Sequence, residues 1–115
     1  MEKEDSKWKE FIWSNILQRS TKVLTLGLDL KDGIRTIEKG TEFHCMGFKY
    51  HGKIKIQHED WSNTFQISFT PDDESEDPIV IENVLQDDVV FVIIEYVQYY
   101  YECRNSAFEE IEIAV

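Results

Sequence analysis

No lysine follows Lys55 in this 115-residue chain, and Arg104 is the sole basic residue beyond it. Cysteine is also scarce. Cys45 and Cys103 are too few and too far apart for a disulfide framework, so both are expected to be reduced and buried. The five glycines are isolated from one another, which removes P-loop, dinucleotide-fingerprint and G-x-S-x-G chemistry. No apolar run approaches the roughly 18 residues of a membrane span, and the strongest, Val89 to Ile94, is followed at once by Glu95. The first ten residues mix charges of both signs without an apolar stretch or a small-residue cleavage site. A cytoplasmic protein with no membrane association is therefore expected.

What the chain does have is apolar material. A hydrophobic fraction of 42% with 13% aromatics supplies one core, and the length suits a single domain over 1–115. Trp8, Phe11, Ile12, Asn15 and Ile16 fall at spacings of three and four, widened by Trp13 and Leu17, which predicts an amphipathic helix over about 6–19 with Asp5 or Ser6 as N-cap. From Lys22 to Lys31 the period changes to two, with Leu24, Leu26, Leu28 and Leu30 on one face and an Asp32-Gly33 turn behind.

Further strands are expected at about 41–50, 53–58, 64–70, 79–85, 89–101 and 108–115. Turns are expected at Lys39-Gly40 and His51-Gly52. Pro71 and Pro78 bracket an acidic loop over 71–78. These elements define an α+β, mostly β, architecture: one N-terminal helix packed on a small antiparallel β-barrel or sandwich, similar in general outline to SH3-like barrels. That likeness is architectural and implies no activity.

Charge is distributed unevenly. Residues 1–55 hold eleven of the twelve Lys and Arg against eight Asp and Glu, a net of +3, while residues 56–115 hold one against fifteen, a net of −14. An acidic face contributed by Asp72, Asp73, Glu74, Glu76, Asp77, Asp87 and Asp88 would dock on a basic partner surface. Two readings compete with it. Neighbouring strands can interleave the two halves and erase the asymmetry, or the basic half of one copy can meet the acidic half of another.

Metal and catalytic chemistry find little support. An EF-hand beginning at Asp72 needs Gly at Asp77, and one beginning at Asp73 needs Gly at Pro78. His44, Cys45, His51, His58 and Cys103 include no C-x-x-C or H-x-x-x-H pair, and His44 and Cys45 point to opposite faces of a strand. No cofactor and no metal are expected. Nuclease chemistry starting at Pro71-Asp72 would need a later lysine, which does not exist. His44 and His58 are the best general acid and base for a small RNA-cleaving enzyme. The patch Phe48 to Lys55 could stack bases, but a net charge of −11 repels a phosphate backbone, so no direct nucleic-acid binding is expected.

Tyr99 and Tyr100 stand beside carboxylates as anchors for an interface, or else pack on the N-terminal helix as edge-strand residues. The leading expectation is a non-enzymatic interaction protein that inhibits a basic, nucleic-acid-handling enzyme. In kind, though by no motif, it resembles the acidic nucleic-acid mimics that phages and mobile elements direct against defence enzymes, anti-CRISPR proteins among them. Immunity proteins of nuclease toxins are the neighbouring class. The alternative is an accessory or scaffold module that binds a peptide or small ligand.

Overall fold

A computed structural model describes the backbone of residues 2–27, 34–47 and 49–113, with side chains between Ser6 and Cys103 apart from Lys22, Leu24 and Thr25. Phe48 and the Asp32-Gly33 turn lie outside the described residues, as does the end of the strand expected at 22–31.

The first helix, α1, spans Glu2–Ile12 and continues without a break into a π-helical turn over Trp13–Leu17. Asp5 and Ser6 therefore lie inside the helix and not at its cap. The amide of Gln18 donates to Trp13 O at 2.8 Å, closing the wide turn. That turn brings the sequence neighbours Ile16 and Leu17 into the core together, below Ile12. The Trp13 indole donates to Thr41 Oγ1 at 3.1 Å, and the Thr41 hydroxyl donates to Arg35 O at 3.0 Å. Helix and sheet are thus joined through a fully buried hydroxyl that has both partners it needs.

The strand expected at 22–31 is not present where the backbone is described. Thr21–Leu26 forms a 3-10 helix, whose three-residue repeat buries Val23 and Leu26. The alternating leucines suggested a strand, but the side chains described in the core here, Val23 and Leu26, are three apart and not two.

Five antiparallel strands follow: β1 Ile34–Ile37, β2 Gly40–Met46, β3 His51–Glu59, β4 Thr64–Pro71 and β5 Ile79–Val84. They pair in sequence order as one open sheet, so an N-terminal helix packed on an antiparallel sheet is the architecture observed. Alternation sets its two faces. Phe43 and Cys45, Ile54 and Ile56, and Ile67 and Phe69 are buried on the inner face, each large apolar side chain contributing roughly 1.5–3 kcal/mol. Glu42, His44, Lys53, Lys55, Gln57 and Gln66 line the outer one.

The β1–β2 turn sits at Glu38 and Lys39, with Lys39 at φ 54°. β2 ends at Met46 and β3 begins at His51, so His51 and Gly52 are strand residues and not the turn. Between Phe65↔Val84 and Ile67↔Ile81, β5 has one residue more than β4, and Asn83 takes the left-handed conformation (φ 59°). The surplus residue is a β-bulge, and Asn tolerates its backbone better than most residues do.

The largest departure from expectation is at the C-terminal end. Residues 89–101 and 108–113 are not strands but one helix, α2, over Val89–Ile113, preceded by a 3-10 turn at Gln86–Asp88. Ala114 and Val115 lie outside the described residues. Val89, Ile93 and Val97 are buried at a spacing of four, with Tyr96 and Tyr100 packed beside them against the core. Tyr96 stacks on Phe69 of β4 with 4.0 Å between ring centroids, and Tyr100 meets Tyr50 edge-on at 5.1 Å. The tyrosines thus pack on the sheet and not on α1. Among the described residues no helix is long and apolar enough to cross a membrane.

Candidate functional site

The acidic loop leaves the sheet at Pro71 and is pinned at both ends of its first turn. The Asp72 amide donates to His51 O at 3.1 Å, and the Asp72 carboxylate lies 2.8 Å from His44 Nε2 on the outer face. Asp73 Oδ1 accepts from the Ser75 amide and hydroxyl, and the Glu76 amide closes back on Asp73 O. Two of the five carboxylates, Asp72 and Asp73, therefore hold the loop's own shape. Glu74 and Asp77 are exposed to solvent.

Glu76 turns inward and accepts the Tyr100 hydroxyl at 2.5 Å, which draws the loop against α2. Between loop and helix runs a groove of about 390 Å³ lined by Glu76, Asp77, Ile79, Tyr96, Tyr99 and Cys103. Tyr99 is 63% exposed on its rim. Cys103, one helical turn on, is hydrogen-bonded to the Tyr99 phenol and raises its pKa. Burial does the same to the phenol of Tyr96. Both rings share the groove lining with Glu76 and Asp77. On the opposite flank of α2, Lys49 donates to Gln98 Oε1 and lies 5.9 Å from the centre of the Tyr101 ring.

Structure thus gathers Asp72, Asp73, Glu74, Glu76, Asp77, Tyr99 and Tyr100 at one end of the molecule. Asp87 and Asp88 are not with them. They lie at the other end of β5, roughly 20 Å away for a strand of this length. Placed just ahead of α2's first turn, they have a structural account as well, since carboxylates there favour the helix dipole. Tyr100 is a core tie more than an exposed anchor. Tyr96, Ile79 and Cys103 were missed by sequence reasoning, although Tyr96, Tyr99, Tyr100 and Cys103 recur at the three-and-four spacing of a helix.

At the Asp87 end a second cleft, about 540 Å³, is lined by Trp8, Phe11, His58, Asn63, Phe65 and Asp88 among others. Trp8 stacks on His58, whose Nδ1 is 2.9 Å from Asp60 Oδ1 and whose Nε2 is 2.9 Å from Asn63 Oδ1. The Lys39 ammonium, then the His58 ring, hold the Asp60 carboxyl below its usual range. His58 belongs to the buried face of β3, whereas His44 lies opposite Lys53 on the outer face. The two histidines cannot flank one substrate. Cys45 is core filler, but Cys103 is exposed, contrary to expectation. Among the described residues no three His, Cys, Asp or Glu side chains converge to hold a metal.

The strand order also decides the fate of the charge asymmetry. Because β1 to β5 pair consecutively, the basic first half occupies β1, β2 and most of β3, and the acidic second half occupies β4, β5 and α2. Within the sheet the two halves meet along β3, while the helices cross between them, α1 through Trp8 against Phe65 and α2 through Tyr96 and Tyr100 against Tyr50. Comparison of the chain with protein-family models, with curated proteins and with solved structures finds no match.

Proposed function

We propose that this chain is a small non-enzymatic interaction protein that docks its acidic side on a basic surface of a nucleic-acid-handling partner and blocks that surface by charge complementarity. What supports this reading is the exposed pair Glu74 and Asp77 beside Tyr99, in a chain whose residues 56–115 carry a net −14. Glu74 and Asp77 are the carboxylates free to meet a partner, and Tyr99 is the exposed aromatic beside them.

The test begins with capture of the partner from host lysate at low and high salt. Binding of the purified pair is then measured for the wild type and for a Glu74→Gln, Asp77→Asn, Tyr99→Ala variant. A loss of about tenfold or more in affinity, a flatter salt dependence and competition by nucleic acid are expected. Unchanged affinity and salt dependence would sink the proposal. The second reading, a module binding a small ligand or peptide, is favoured by the aromatic-walled cleft at Trp8 and His58.

A further inference from the structure

We infer that the outer edge of β5 receives an extended basic segment of the partner as a sixth strand, an inference that rests on the acidic-docking reading above and gives it a binding mode. Among the described residues β5 pairs on one side only, with β4. Its free edge offers backbone donors and acceptors of the kind that strand addition uses. Exposed long edges invite indiscriminate pairing, and this one is shortened: Pro78 precedes it and the Asn83 bulge interrupts it. What remains in regular register is Ile79 to Ile81, enough to anchor a short peptide.

Side-chain directions define the peptide. Val80, 53% exposed, faces outward with Ser68, while Ile79, 40% exposed, faces inward at the groove that holds Tyr99 and Asp77. An added strand therefore places one set of side chains beside Val80 and the alternate set beside Tyr99 and the carboxylates. The first set should be apolar and the second Lys or Arg, which gain both a carboxylate and an aromatic face. A second copy is the wrong occupant. Antiparallel pairing of β5 with itself would set the Asp77 end of one copy against the Asp87 and Asp88 end of the other, on chains that already carry a net −11.

The probe is the peptide Arg-Val-Arg-Val-Arg-Val-Arg, compared with Arg-Val-Arg-Pro-Arg-Val-Arg, which has the same charge but cannot form a continuous strand. Saturation with the first should slow amide exchange at residues 79–82 about tenfold, and the proline peptide should not. Val80→Lys should weaken the first peptide about tenfold and leave the melting temperature unchanged, because the side chain is exposed. Equal affinity for the two peptides, no binding by either, or binding that leaves β5 unprotected overturns strand addition. If such binding still falls with salt and in Glu74→Gln, Asp77→Asn, the acidic-docking reading survives alone. Protection of β5 that ignores salt and those substitutions keeps strand addition and removes the electrostatic reading. Protection that rises with protein concentration in the absence of peptide assigns the edge to a second copy and overturns the inference.

Discussion

The Tyr100 hydroxyl donates to Glu76 Oε2 at 2.5 Å, so a residue of α2 holds the inward-turned carboxylate of the acidic loop. A charged acceptor makes this one of the stronger hydrogen bonds on the surface, and its partial exposure tempers the value. Tyr100→Phe keeps the ring against Tyr50 and removes only the donor. Amide exchange in residues 72–77 should quicken several-fold, with about 1 kcal/mol lost in stability. Unaltered exchange in the loop would show that the bond does not restrain it.

Gly40 begins β2 where it crosses the backbone of β3. A Cβ at this position would stand 1.9 Å from Ile56 O and 2.9 Å from Gln57 Cα, both backbone atoms that cannot swing away. Gly40→Ala should cost about 2 kcal/mol or more in a urea melt. A loss below the typical surface value, about 0.5 kcal/mol, would mean that the two strands are farther apart than described.

The two thiols are in opposite environments, Cys45 at 0% exposure under the sheet and Cys103 exposed on α2. A thiol-reactive dye should label one cysteine rapidly in the native protein and the second only after denaturation. Mass mapping of the label should place the fast site at Cys103. Rapid native labelling of Cys45 would contradict its burial.

Burial first, and the Asp72 carboxylate second, push the Cys45 thiol from its ordinary 9.0 up to about 12. A group with a raised pKa in the fold loses its proton earlier in the unfolded chain. Its contribution is complete below about pH 9 and falls as pH rises toward 12. Tyr50, raised chiefly by burial, acts in the same direction at higher pH. Denaturant melts between about pH 8 and 11 should show declining stability, with a shallower decline in Cys45→Ala. Equal slopes in the two proteins would remove Cys45 as the cause.

Strands β2 to β4 were legible because each buries one face, so Phe43 and Cys45 or Ile67 and Phe69 alternate with less buried neighbours. Residues 89–101 were misread because Val, Ile and Tyr favour strands, and that local preference masked the recurrence of Val89, Ile93 and Val97 at a spacing of four. Packing against Phe69 and Tyr50 overrides propensity there, since only a helix presents Tyr96 and Tyr100 together. The site was half legible. The acids of the loop announced themselves by composition, but their meeting with Tyr99 and their separation from Asp87 and Asp88 depend on where α2 runs.

By itself the sequence determined the N-terminal amphipathic helix, the alternation that makes the sheet, and the excess of acid after Lys55, because composition and periodicity are local properties. Only the tertiary structure decided which of those acids come together. Consecutive antiparallel pairing sets β1 and β5 at opposite edges of the sheet, so the 71–78 loop and the 87–88 pair flank β5 and not β1. Among the described residues the same topology leaves β5, the last strand, with an open edge.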